Sequence, residues 1–194
     1  MILALLVTLL AVQQPLPLRN LIVNPGAGEQ TASWFVSATD AAVEECAPKN
    51  NCFVVRNRGA FVQGFPLPKD AAGKFVLMVA YAKAERTDPE AGITDRPTLH
   101  VTFPNLAGTR ILYTRQMVGA AIHSIQSHSE WQKIWAAYLI PEGAESGELR
   151  LALGSRKGVD PNGSRGWFDD VGVFIVSTEA EARAFAAKYS RPGG

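Results

Sequence analysis

Histidine occurs three times and cysteine twice in 194 residues, and the chain is almost uncharged overall, +1 from nineteen basic and eighteen acidic side chains. Each shortage excludes something. His100, His123 and His128 fall in no metal-ligand spacing, which removes a histidine-built metal centre. The basic residues are scattered rather than gathered into a stripe, so nothing tracks a phosphate backbone and nucleic acid is not an expected partner. No Gly-x-Ser-x-Gly elbow, phosphate loop or dinucleotide fingerprint is present. Internal repeats are absent too, and a chain of this length with 47% hydrophobic residues suits one domain with a sizeable core.

The longest apolar run, Met1 to Val12, is too short to cross a bilayer but has the length of a secretory signal core. No Lys or Arg precedes it. Residues 1–14 therefore read as a signal peptide and 15–18 as a linker, because Gln13-Gln14-Pro15-Leu16-Pro17 has linker composition; the competing reading is a buried N-terminal strand. Export implies a secreted or periplasmic protein. In that setting Cys46 and Cys52, which enclose the turn-forming stretch Ala47-Pro48-Lys49-Asn50-Asn51, pair as a disulfide; in a reducing compartment they stay free thiols. So small a ring contributes about 2 kcal/mol at most.

From about Arg19 to Val176 short apolar stretches alternate with Gly, Pro, Asn and Asp, and several show a period of two. Phe61, Gln63, Phe65 and Leu67 share one strand face, and Phe75, Leu77, Val79 and Tyr81 share another across the turn Pro68–Gly73, which suits an antiparallel connection. Leu99, Val101 and Phe103 alternate with His100 and Thr102. Ile134, Ala136, Tyr138 and Ile140 alternate with Trp135, Ala137 and Leu139, and Leu149, Leu151 and Leu153 with Arg150 and Ala152. This predicts an all-β fold, a β-sandwich or jelly roll over 19–176, with Phe61, Phe65, Leu77, Val79, Val101, Ile134 and Tyr138 in one core around a hydrogen-bonded Gln63. Residues 116–129 fit a helix or a strand. In 177–194 the Thr178-Glu179-Ala180-Glu181 capping box and the spacing of Ala182, Phe185, Ala186 and Tyr189 predict a short C-terminal α-helix and tail. Such a helix docks on its own domain or offers a face to a protein partner.

Two adjacent acids, Asp169 and Asp170, interrupt the last apolar strand, Gly166 to Phe174. Strand alternation turns one of them toward the apolar interior, where a bare carboxylate is too costly to leave unpaired. A cation, a basic partner such as Arg165, or backbone donors would satisfy it.

Four segments in order, Asn20–Gly26 leading through Glu29 to Trp34, Phe61–Phe65 leading to Lys74–Leu77 and Ala80–Lys83, Trp131–Lys133 through Tyr138–Ala144, and Gly166–Val171, resemble the galactose-binding-like jelly rolls. Within them the likeness is to the secreted carbohydrate-binding modules of cellulose- and xylan-binding type. The resemblance implies a secreted, non-catalytic module that binds a polysaccharide or cell-surface glycan. It also implies a structural calcium ion tying the first strand to the last, held by Glu29 and Asp169 with Asp170 as a further candidate, and Ca²⁺ does take such hard oxygen ligands. Gly28 stands where that family usually carries an aromatic. Trp34 and Trp131 match positions that are structural in the family.

Sugar recognition needs aromatic faces for stacking and polar groups for the hydroxyls. Trp135 lies on the strand face away from Ile134, Ala136 and Tyr138, so it is the leading ligand candidate, with Tyr113 and His100 as neighbours. Ala137 and Leu139 make that face apolar, which equally suits a surface covered by the C-terminal helix or a partner. Trp167 shares its parity with Asp169. The alternatives to glycan binding are a structural or protein-interaction jelly roll that lacks the sugar site and, third, a hydrolase. Adjacent strand acids diverge, so Asp169 and Asp170 cannot be a glycosidase pair.

Overall fold

The computed structural model describes residues 18–37, 40–56, 59–86, 97–104, 106, 128–153 and 164–191. The signal stretch 1–14, Tyr113 and most of the segment 116–129 lie outside the described residues. Among the described residues nine strands and one helix follow in order: β1 (Phe35–Val36), β2 (Ala41–Ala47), β3 (Asn50–Arg56), β4 (Ala60–Pro66), β5 (Phe75–Arg86), β6 (Pro97–Thr102), β7 (His128–Leu139), β8 (Ser146–Leu153), β9 (Ser164–Val176) and α1 (Glu179–Lys188). They make two antiparallel sheets, a four-stranded one ordered β1-β4-β8-β6 and a five-stranded one ordered β2-β3-β9-β5-β7. The expected β-sandwich with a C-terminal helix is what the chain forms.

Alternation puts one side-chain row of each sheet into a shared core. Phe61, Phe65, Leu99, Val101, Leu149, Leu151 and Leu153 come from the four-stranded sheet, and Phe53, Val76, Met78, Ile134, Tyr138 and Phe168 from the other. Trp34 stacks on Phe53 at 4.8 Å, and Phe53 meets Phe61 across the sheets at 4.9 Å. Gln63 is buried as expected; its Oε1 accepts from the Val23 amide at 2.7 Å and its Nε2 donates to the Val23 carbonyl at 3.0 Å. The amide thus pins the N-terminal segment to the sandwich.

Two expectations need correction. The turn Pro68–Gly73 does not close a hairpin: β4 pairs with β1 and β8, whereas β5 pairs with β7 and β9, so the turn carries the chain from one sheet to the other. Leu77 and Val79 do share a face with Phe75, but it is the outer face of the five-stranded sheet. There they form a second core with Phe174, Val176, Ala182 and Ala186, under α1. A long strand buried on both faces reads as a continuous apolar run, so its period of two could not say which face meets the other sheet.

The helix starts as its capping box dictates. The Thr178 hydroxyl accepts from the Glu181 amide at 3.1 Å, and the Glu181 carboxylate reaches back to the Ser177 amide at 2.8 Å. Its narrow apolar stripe, Ala182 and Ala186 flanked by Phe185 and the C-cap Tyr189, is spent on its own sheet; Phe185 packs on Phe174 at 4.6 Å. What α1 presents outward includes Glu179, Arg183 and Lys188, and its apolar stripe docks on its own domain, one of the two outcomes expected of it.

Leu77→Ala and Leu151→Ala should each cost about 2–5 kcal/mol in denaturant melts, as large-to-small core substitutions do. Only Leu77→Ala should also raise amide exchange across 179–188 at conditions where the sandwich stays protected. Equal local exchange in the two variants would show that α1 is not held by this second core.

Candidate functional site

The outer face of the five-stranded sheet is divided by α1. Rows across β7, β5 and β9 follow the strand register as Leu139–Phe75–Val176, Ala137–Leu77–Phe174 and Trp135–Val79–Gly172, and their side chains pack with the helix except Leu139, which is exposed. Trp135 therefore packs against the helix, with the Arg183 guanidinium 5.8 Å from its ring centroid. Trp135 is half-buried, and its packing on α1 takes part of the surface that the expected sugar groove would use. His100 sits on β6, on the outer face of the other sheet, opposite Arg150, with Nε2 2.8 Å from the Thr98 hydroxyl oxygen. The two leading candidates thus lie on opposite outer faces and cannot line one groove.

Beyond the helix end the sheet face changes character. The row Lys133–Tyr81–Asp169 fastens the end of α1: Lys133 Nζ donates to the carbonyls of Ala187 at 2.9 Å and Tyr189 at 3.1 Å, and the Tyr81 hydroxyl donates to the Tyr189 carbonyl at 3.1 Å. The next row is Trp131, Lys83 and Trp167. The Lys83 ammonium stands 5.1 Å from the centroid of each indole, a cation held between two aromatic rings. Both tryptophans are half-buried, so part of each ring meets solvent. Trp131, matched by resemblance to a structural position, is instead on this outer face, and Trp167 keeps the parity expected with Asp169.

Asp169 and Asp170 lie beside this row, and the strand accommodates them with a bulge. Val79 pairs with Gly172 and Tyr81 with Asp169, so Ala80 opposes both Asp170 and Val171. Asp170 takes φ 48°, a left-handed conformation that an Asp tolerates better than most residues. The extra residue resets the alternation: Phe168 and Val171 both belong to the sandwich core, while Asp169 lies in the row of Tyr81 and Lys133. This corrects the reading that one of them must point inward.

Asp169 is 1% exposed and fully engaged. Its Oδ2 accepts from Arg191 at 2.6 Å and from the Asn50 amide at 3.0 Å, and its Oδ1 accepts from the Asp170 amide at 2.9 Å. Asp170 Oδ2 lies 3.5 Å from Arg191 Nε and makes no hydrogen bond. Burial and the neighbouring Asp169 charge raise the Asp170 carboxyl to about 6. Burial and the same acids raise the Tyr189 phenol to about 12, which keeps it protonated to donate to the Asp170 carbonyl at 3.0 Å. The basic partner is Arg191, not Arg165, which is exposed opposite Glu85.

These residues do not fit the expected calcium site. Glu29 is exposed on a loop in which Asn24 Oδ1 accepts its amide, and among the described residues no three His, Cys, Asp or Glu side chains converge to hold a metal. Asp169 has both oxygens taken by N–H donors, whereas Ca²⁺ needs six to eight oxygens. The tie between the chain's beginning and β9 is made of hydrogen bonds instead. Asn20 bonds the Val171 carbonyl and the Val173 amide, Leu21 N donates to Val173 O, and Val171 N donates to Pro25 O.

Cys46 and Cys52 carry free thiols at the β2–β3 hairpin, where a register shift at Cys46 lies beside the Glu44–Cys52 pair. Burial raises both thiols. The stretch between them is thus a hairpin tip, and it delivers Asn50 to Asp169.

The outer face of the four-stranded sheet holds an open cavity of about 480 Å³ along Gly64, Pro66, Pro104, Glu145 and Glu148. Its one aromatic, Phe65, is turned into the core at 2% exposure, so no ring is offered there for stacking. The sequence reading missed Arg191, Asn50 and Lys83. Lys83 had a signal, since it shares strand parity with Tyr81; Arg191 and Asn50 reach Asp169 from 22 and 119 residues away and had none.

No protein-family model and no curated protein matches the sequence. Solved structures do. The enzymatically active domain of bacteriophage CBA120 tailspike protein 4 superposes with a TM-score of 0.54 at 13% identity, covering 81% of this chain and 21% of that one. The chain thus spans about a fifth of that protein's length. TmCBM61, solved in complex with β-1,4-galactotriose, gives 0.50 at 16% identity over 81% of this chain and 99% of the module. The CBM22-1 xylan-binding domain of Paenibacillus barcinonensis Xyn10C gives 0.48 at 13% identity, over 76% and 88%. The fold is a β-sandwich jelly roll similar to that of TmCBM61.

The raised Asp170 carboxyl makes a pH prediction. Between about pH 4, where an unfolded Asp releases its proton, and about pH 6, the folded state keeps a proton that the unfolded state has lost. Stability contributed by Asp170 therefore falls as pH rises through that window. Asp170→Asn mimics the neutral acid and should flatten this fall. Melting temperatures of both proteins from pH 4 to 7 test it, and a wild-type minus variant difference that grows with pH rejects it.

Proposed function

We propose that the protein is an exported, non-catalytic glycan-binding module whose ligand lies across Trp131, Lys83 and Trp167. The observation that carries the reading is the placement of two indoles on the stretch of sheet face that α1 leaves open. An indole stacks on the apolar face of a pyranose, and the Lys83 ammonium between the rings supplies donors for ring hydroxyls. Trp135, the other tryptophan on this sheet face, is half-buried and packs against the helix and Arg183. TmCBM61 binds a β-1,4-galacto-oligosaccharide on a similar fold, which makes galactan the first ligand to try.

The non-catalytic reading is supported by the chemistry of the acids. Asp169 is neutralised by Arg191, and its neighbour Asp170 cannot face it across a sugar, so the pair offers no acid and base on opposite sides of a bond. Isothermal titration with β-1,4-galacto-oligosaccharides and a panel of xylan and cellulose oligomers should show binding without hydrolysis. Trp131→Ala and Trp167→Ala should each weaken it about tenfold, or ~1.4 kcal/mol. Trp135→Ala should leave affinity unchanged while lowering the melting temperature. No binding to any glycan of the panel, or equal losses in all three variants, would sink the platform.

Export supports one further expectation. Cys46 and Cys52 are placed across one hairpin, so protein recovered from an oxidising compartment should show no free thiol under denaturing, non-reducing conditions. Two free thiols there would count against both the disulfide and export.

A further inference from the structure

One guanidinium touches three groups at the edge of the platform. Arg191 donates to Asp169 Oδ2 at 2.6 Å, its Nε lies 3.5 Å from Asp170 Oδ2, and its central carbon stands 4.4 Å from the centroid of the Trp131 ring. The segment that carries it is fastened just before it, where the Tyr189 carbonyl accepts from Tyr81 and Lys133 and the Tyr189 hydroxyl donates to the Asp170 carbonyl.

We propose that Arg191 is a built-in counter-ion that stands where a divalent cation would otherwise be needed, and that it is also the positioning residue for Trp131. The first half is independent of ligand; the second rests on the glycan-binding reading. A guanidinium suits both tasks because its edge carries fixed N–H donors that match carboxylates while its flat face stacks on an aromatic ring. A metal ion has no such face. Calcium would also have to enter beside a guanidinium already seated on Asp169 Oδ2 and find further oxygens, with Glu29 exposed on its loop. Contact with the Arg191 guanidinium and the Lys83 ammonium fixes the Trp131 indole before any ligand arrives, which lowers the ordering cost of binding.

Thermal melts of the full chain in Ca²⁺ and in chelator should coincide, and a Ca²⁺-dependent rise of several degrees would overturn the counter-ion. Arg191→Ala should melt several degrees lower than the wild type, and an unchanged melting temperature would overturn it equally. Arg191→Lys keeps the charge but loses the fork and the flat face, so it tests positioning even where Arg191→Ala does not fold. In the wild type, Trp131→Phe should remove a distinct near-ultraviolet dichroism band. In the Arg191→Lys background the same substitution should change little, and an undiminished band would refute positioning. With β-1,4-galacto-oligosaccharide, Arg191→Lys should weaken binding severalfold. If the wild type binds no glycan, the ligand reading fails, while the melting and dichroism arms still decide the role of Arg191.

Discussion

A carboxylate buried to 1% exposure has to be paired, and the pairing of Asp169 organises this end of the molecule. Two distant parts of the chain converge on it, the β2–β3 hairpin tip through Asn50 and the segment after α1 through Arg191, and the adjoining bulge adds the Asp170 amide. Removing one partner of such a buried pair costs about 3–5 kcal/mol, mainly because the other is left uncompensated. The pair is weak evidence for net stability, since well-packed apolar residues can do as well. Its larger effect is specificity of arrangement: it fixes where the chain after α1 lies and which part of the sheet the helix leaves open.

That division of the sheet separates two chemically similar rows. Trp135 and Trp131 are four residues apart on β7 and point the same way, yet one is beneath the helix and the other beyond its end. The boundary between them is the row Lys133–Tyr81–Asp169, each member of which bonds the helix end or the segment after it. A longer docked helix would cover Trp131 as well. The length of α1 and its fastening therefore set the size of the uncovered face as directly as the tryptophans themselves do.

Much of the fold was legible because it depends on local pattern. Period-two runs located β4, β6, β7 and β8, and the Thr178 capping box located the start of α1 within a residue. Two things could not be read locally. A strand apolar on both faces, such as Phe75–Ala82, gives no sign of which face meets the other sheet, so Leu77 and Val79 were placed in the wrong core. A bulge is an insertion of one residue with no compositional mark, and it moved both acids off the inward face they were expected to contest. The candidate site was harder still. Asp169 announced itself as a charge in an apolar strand, but its partner is the tail residue Arg191, and nothing in the spacing of the sequence links the two.

The resemblance to carbohydrate-binding modules and the details of this chain meet at the acid pair, and there they part. In the resembled family an early Glu and a late Asp share an ion that ties the two ends of the sandwich together. Here the same tie is distributed. Asn20 and Leu21 bond the backbone of β9 from the N-terminal side, Pro25 caps the bulge through Val171, and Arg191 neutralises the acids from the C-terminal side. Each contact is modest, and all of them come from the polypeptide. The guanidinium also couples that closure to Trp131, so loosening the end of the chain should disorder the platform before it unfolds the sandwich. Fold likeness alone carries no ligand. What argues for one here is that the chain keeps two indoles at the open part of its sheet and fixes one of them with the residue that neutralises its most buried charge.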